Sequence, residues 1–233
     1  MSEQIDLKMP QGRPMPAYLA RPAGGMATGA IVVLQEIFGV NAHIRAVADD
    51  FAAQGYLALA PALFDRLEPG VELGYAPPDI NAGRALKTAA EALPAPGVLA
   101  AIEAAISYAA DANGASPVKV GVVGYCWGGL LSWRAACMLN GVAAAVTYYG
   151  GGMTTGADAQ RTPKVPVMSH FGEQDSAIPN NSVDAFEKRH PTVQLYRYPA
   201  QHGFNCDQRG SFNAASAAKA RDRTLAFFAQ HLK

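Results

Sequence analysis

The sequence predicts an α/β fold: a mostly parallel sheet with helices on both faces. Three observations carry this expectation. Apolar, β-branched runs alternate with segments of helical spacing, and the crossovers between them are long enough to return parallel strands. One run ends in Gly124-Tyr125-Cys126-Trp127-Gly128 and passes directly into a helical stretch. Reactive polar residues then recur at the ends of later strands, where such a sheet gathers its chemistry.

Taken in order, residues 5–9 and 15–20 read as a β-hairpin turning at Gly12. Residues 29–36 (GAIVVLQE) form a continuous apolar run, as expected of a strand buried on both faces. Residues 41–54 have helical spacing, with Asn41 as N-cap and Gly55 as the stop. Residues 56–61 are the next strand. The Pro- and Gly-rich stretch 62–96 surrounds one helix, 80–93, and an insertion of this kind beside a rigid sheet usually shapes a pocket. An alanine-rich helix follows at 97–112, ended by Asn113-Gly114. Residues 118–124 are the strand before the pentapeptide and 127–139 the helix after it. Strands at 143–149, 165–171 and 193–198, a helix at 181–189 and a closing helix at 212–232 complete the pattern. No repeat, low-complexity tract or linker interrupts it, so one domain over 1–233 is expected.

Half of the residues are hydrophobic and 16% are charged, a balance suited to a compact globule. The formal net charge is zero with no block of like charge, which argues against nucleic acid or an anionic membrane surface as partner. The opening MSEQIDLKMP is polar and does not read as a signal or transit peptide. No apolar stretch is long enough to span a bilayer. The three cysteines, Cys126, Cys137 and Cys206, are odd in number and lack C-x-x-C spacing. Neither a disulfide framework nor a zinc site is therefore expected, and a reduced, cytoplasmic setting is.

The pentapeptide is a nucleophile elbow with cysteine in the reactive position. A sharp strand-to-helix turn of this type needs small flanking residues. It also places the sulfur at a helix N-terminus, where free N–H groups and the helix dipole favour thiolate. Four polar residues fall at the expected strand ends: Glu36, Cys126, Asp175 and His202. His202 pairs with the thiolate and then protonates a leaving group or activates water. Asp175 fixes the imidazole tautomer. The backbone N–H groups of Ile37 and Trp127 are the expected oxyanion hole.

Other candidates have plainer readings. Cys137 packs in the core, and Cys206 is an idle loop thiol or a pocket-lining one. His43 lies in the first helical turn after Glu36 and is placed to line the site. His170 is a hydrogen-bonded core residue, while His190 and His231 sit at helix ends and are expected in solvent. Glu173 competes with Asp175 but follows the strand too closely, and Asp184 reads as a solvated helix residue.

Gln35-Glu36-Ile37-Phe38-Gly39-Val40-Asn41, Gly124-Tyr125-Cys126-Trp127-Gly128-Gly129 and the Asp175 and His202 loops together resemble the dienelactone hydrolase (carboxymethylenebutenolidase) family. The resemblance runs nearly the whole chain. It implies an α/β-hydrolase fold and opening of a dienelactone, 4-carboxymethylenebut-2-en-4-olide, to maleylacetate by a Cys126–His202–Asp175 triad, in bacterial breakdown of chlorinated catechols. No metal or organic cofactor is implied. It also implies a gate at Glu36, which pairs with an arginine at rest. A substrate carboxylate then captures the arginine, and the freed Glu36 takes the thiol proton. Arg84 on the insertion helix is the matching arginine, with Lys87 as a substitute. Without the resemblance, Arg84 reads as a solvated helix face. The family carries a second arginine where this chain has Cys206, and Arg209 is the cation that replaces it in substrate binding. Hydrolysis of another ester, lactone or thioester is the alternative activity. A ligand-binding protein without turnover is a further one, which the intact Cys126, Asp175 and His202 argue against.

Overall fold

The computed structural model describes residues 1–10, 12–112 and 117–232. Eight strands among them form one sheet, β1 (Ser2–Leu7), β2 (Met15–Ala20), β3 (Ala30–Leu34), β4 (Leu57–Pro61), β5 (Val120–Tyr125), β6 (Val142–Tyr148), β7 (Val167–Gly172) and β8 (Gln194–Tyr198), in the spatial order β1-β2-β4-β3-β5-β6-β7-β8. β1 and β2 pair antiparallel, as do β2 and β4, and every later pairing is parallel. The expected alternation is therefore present, with the hairpin forming one edge.

Two helices, α1 (Ala42–Ala53) and α6 (Ala214–His231), cover one face. They meet through Phe51 and Phe228, ring centroids 6.0 Å apart, and through an Arg221–Asp50 ion pair. On the other face lie α3 (Val98–Asp111) and α4 (Trp127–Met138). Against α4 packs α5 (Asn180–Arg189), through Phe186 on Trp133. The apolar residues of β3, β4 and β5 are buried on both sides, which accounts for their unbroken hydrophobic runs.

Local signals set most boundaries. The Asn41 side chain accepts the Ile44 N–H and opens α1, while Gly55 takes φ +92° just beyond its end. The insertion helix α2 (Pro77–Glu91) begins earlier than the expected residue 80 because Pro77 and Pro78 occupy its first turn, where no N–H is needed. A short 3-10 turn, Asp158–Gln160, had no periodic signal. The expected stop of α3 at Asn113-Gly114 lies outside the described residues. Among the described residues no helix is long and apolar enough to cross a membrane.

Parallel register then gathers the chemistry. Leu34 lies beside Gly124, Tyr125 beside Tyr148, Tyr148 beside His170, and Gly172 beside Tyr198. Glu36, Cys126, Tyr149, Asp175 and His202 each follow one of these strand ends and so meet at a single edge of the sheet.

Candidate active site

Cys126 occupies the elbow with φ +55° and ψ −115°, a left-handed conformation that few side chains adopt. The flanking glycines are steric necessities. A Cβ on Gly124 would overlap the Gly128 carbonyl, and one on Gly128 would overlap the Leu34 and Gln35 carbonyls at the end of β3. The motif thus holds strand, helix and the Glu36 segment at backbone contact. α4 starts at Trp127, whose N–H belongs to the first helical turn and has no intrahelical acceptor. The Ile37 segment is pressed by α2, where Gly83 approaches the Ile37 carbonyl so closely that a Cβ would collide.

His202 Nδ1 lies 2.7 Å from Asp175 Oδ2, and Asp175 Oδ1 accepts the Ala177 N–H at 2.8 Å. A carboxylate on Nδ1 requires the proton there and leaves Nε2 for the thiol. Glu173 is exposed, whereas Asp175 is buried and is the acid bonded to His202. Burial opposes charge on His202, yet the neighbouring Cys126 and the bonded Asp175 outweigh it and push its pKa up to about 10. Tyr149, the second non-glycine residue with positive φ among those described (+39°), stands edge-on to the His202 ring at 5.1 Å.

Across the pocket from His202 and Asp175, Glu36 is fully buried. Arg209 Nη1 donates to its Oε1 at 3.1 Å, and Oε2 has no hydrogen-bond partner. The Arg209 guanidinium also lies 5.7 Å from the ring centroids of both Phe38 and Tyr75. Arg209 therefore holds the place that sequence reasoning gave to Arg84. Arg84 is exposed on α2 and Lys87 is half-buried there, and neither bonds a Glu36 oxygen. The physical reason is reach: the loop after β8 folds over the pocket and delivers Arg209 to Glu36, while α2 meets the pocket at Gly83. Tyr75, Ala76 and residues 208–211 line a cleft of about 570 Å³ beside Arg209.

Cys206, buried on the same loop, has its thiol pushed up to about 11, mainly by burial and in part by the Glu36 charge. His43 is buried near Glu36, and burial lowers its pKa. Tyr75 and Tyr149 were missed by sequence reasoning, although an aromatic just beyond the end of β6 was a usable signal. His170 is the hydrogen-bonded core residue expected, its ring nitrogens 2.8 Å from Tyr198 Oη and 3.1 Å from Thr224 Oγ1. Cys137 is buried, with its thiol pushed up to about 12 by desolvation. His190 corrects its reading: it is buried, packs on Trp133 and Phe186, and its Nε2 lies 2.9 Å from the Ala159 carbonyl, because the 3-10 turn covers the end of α5. His231 is half-buried against Phe227. Asp184 is exposed and pairs with Arg197.

Residues 15–232 match the family described as "Dienelactone hydrolase family". The chain belongs to this family. A Synechocystis protein named "Putative carboxymethylenebutenolidase" is 37% identical over 93% of this chain and 92% of its own length. A Salmonella typhimurium protein of the same name is 35% identical over 95% of this chain and 84% of its own. The crystal structure titled "Putative Dienelactone Hydrolase" from Klebsiella pneumoniae superposes with a TM-score of 0.84 at 32% identity, covering 99% of both chains. Like other members of this family, the protein has the α/β-hydrolase fold and is an ester hydrolase acting on small-molecule esters or lactones.

Proposed function

We propose that the protein opens a dienelactone, 4-carboxymethylenebut-2-en-4-olide, to maleylacetate through Cys126, His202 and Asp175. The observation that carries the reading is the pairing of His202 with Asp175 at 2.7 Å beside an elbow cysteine whose own charge raises the imidazole pKa. In the forward step the Cys126 thiolate attacks the lactone carbonyl carbon, and the developing oxyanion takes the N–H groups of Ile37 and Trp127. A C–S bond forms as the ring C–O bond breaks, and the departing enolate oxygen receives the proton of His202. His202 then takes a proton from water as the hydroxide attacks the thioester. The C–S bond breaks, the acid is released and the thiolate is restored. No metal or organic cofactor takes part in these steps.

Glu36 and Arg209 supply the selectivity in this reading. A substrate carboxylate draws Arg209 away from Glu36, and the freed Glu36 takes the Cys126 thiol proton, leaving the thiolate that attacks the lactone. Arg84, exposed on the insertion helix next to Gly83, is the second cation available to that carboxylate. The competing activity is hydrolysis of neutral esters or other lactones. It is favoured by Cys206 standing where the family carries an arginine, and by a His202–Cys126 pair that needs no substrate carboxylate. Such work on a small polar metabolite suits a cytoplasmic enzyme in aromatic degradation.

The test compares cis- and trans-dienelactone with p-nitrophenyl acetate. Arg209→Ala should raise KM for the dienelactones by about 10–100-fold, the worth of one hydrogen bond to a charged group, and leave the neutral ester nearly unchanged. Arg84→Ala should do the same more weakly. Equal effects on both substrates, or no preference of the wild type for dienelactones, would overturn the carboxylate clamp.

A further inference from the structure

Glu36, His43 and Cys206 reach one point from the end of β3, the first turn of α1 and the loop after β8, and a ligand atom from each lies within 4.8 Å of the others. Their exposures are 0%, 4% and 0%. Two of their polar atoms, Glu36 Oε2 and His43 Nε2, are buried without any hydrogen-bond partner. Leaving such atoms unsatisfied is costly, and a bound cation would satisfy both. The other His43 nitrogen, Nδ1, faces Asp207 Oδ1 at 3.7 Å, longer than a hydrogen bond but on the side from which a carboxylate orients a metal-bound imidazole.

We propose that Glu36, His43 and Cys206 bind a zinc-class divalent cation through Oε2, Nε2 and Sγ, with water in the remaining position. A carboxylate oxygen, an imidazole nitrogen and a thiolate form a donor set for zinc rather than for magnesium or calcium. Ligands of these types on one tetrahedral zinc sit roughly 3.3–3.6 Å apart, given bond lengths of about 2.0–2.3 Å. The side chains therefore have to draw in by no more than roughly 1.5 Å, since their ligand atoms lie within 4.8 Å of one another. Binding forms an S–metal bond and sends the Cys206 thiol proton to solvent. Arg209 need not leave, because it holds Oε1 and the cation takes Oε2. The negative charges of Glu36, the Cys206 thiolate and Asp207 balance those of the cation and Arg209.

A cation here also pins Glu36 and so inhibits turnover of a carboxylate substrate. That consequence rests on the role given to Glu36 above, whereas binding itself does not. The test titrates metal-free full-length protein with Zn²⁺ by calorimetry and with Co²⁺ by absorption, watching for the thiolate-to-cobalt charge-transfer band. One equivalent should bind with the band present. Affinity should fall at least about 100-fold, beyond what losing a single orienting neighbour costs, in Cys206→Ala and in His43→Gln. Both variants should retain wild-type circular dichroism, and Cys126→Ala should bind normally. Absence of binding in the wild type, or an unchanged cobalt band in Cys206→Ala, would overturn the site. Zinc that binds through Cys206 yet leaves dienelactone turnover unchanged keeps the site and overturns the role of Glu36.

Discussion

The two sides of the pocket are finished to different degrees. On the triad side both Asp175 oxygens are bonded, His202 sits between acid and thiol, and the elbow glycines lock three backbone segments together. On the Glu36 side a carboxylate oxygen, an imidazole nitrogen and the Tyr149 hydroxyl are all buried without partners. Asp175 and Glu36 are both buried, so the contrast between them is one of pairing rather than of solvent. A fully paired set is preorganised for one step. A partly paired set is costly at rest and gains when a substrate group or an ion arrives. The fold has therefore put its fully paired and its partly paired polar groups on different walls of the pocket.

The largest effect should come from making the paired side incomplete. Asp175→Asn keeps the shape but cannot accept the Nδ1–H as a carboxylate does, and kcat should drop about 10³–10⁴-fold. The His202 ionisation should fall back toward the ordinary imidazole range, because the carboxylate is one of the groups holding it near 10. Steady-state rates across pH check both. A variant with normal kcat and an unmoved profile would break the contrast.

Gly128 joins the two walls, since its α-carbon rests on the carbonyls that lead to Glu36. Gly128→Ala should destabilise the fold by about 3 kcal/mol, at the upper end for overpacking, because backbone rather than a flexible side chain must move. Denaturant unfolding measures it, and an unchanged midpoint would mean that the walls are not rigidly coupled.

A smaller effect concerns the buried His170, bonded on both nitrogens to hydroxyls. Burial depresses its pKa from 6.5 to about 3, so the folded protein binds fewer protons than the unfolded chain between these values. Its contribution is complete above pH 6.5 and is lost as pH falls toward 3. The loss should run at about 1.4 kcal/mol per pH unit. Urea unfolding at pH 7 and pH 5 should show that His170→Gln is less sensitive to acid than the wild type. Identical sensitivity would show that His170 titrates freely in the fold.

The paired side was legible in the sequence because its constraints are local. Gly124 and Gly128 declare a tight turn, and Asp175 and His202 follow strands whose apolar runs are unmistakable. Glu36 was readable for the same reason. Arg209 was readable as a substrate-binding cation but not as the partner of Glu36, because that contact joins residues 173 positions apart and depends on a loop whose course no periodicity records. Gly203 carried the overlooked signal: its φ of +79° and the Arg209 guanidinium packed against it leave no room for a side chain. His190 was misread because a histidine ending a helix is normally solvated, and the short 3-10 turn that covers it has no sequence period of its own.

The central claim is that Cys126 is the nucleophile, and the direct test is to trap what it attacks. The enzyme is mixed with excess p-nitrophenyl acetate, quenched in acid during the first turnover, and mapped by peptide mass spectrometry beside Cys126→Ala. The account predicts a p-nitrophenol burst with acetyl on the peptide carrying Cys126, and neither burst nor adduct in the variant. Acetyl on another residue, or undiminished turnover by Cys126→Ala, would contradict it.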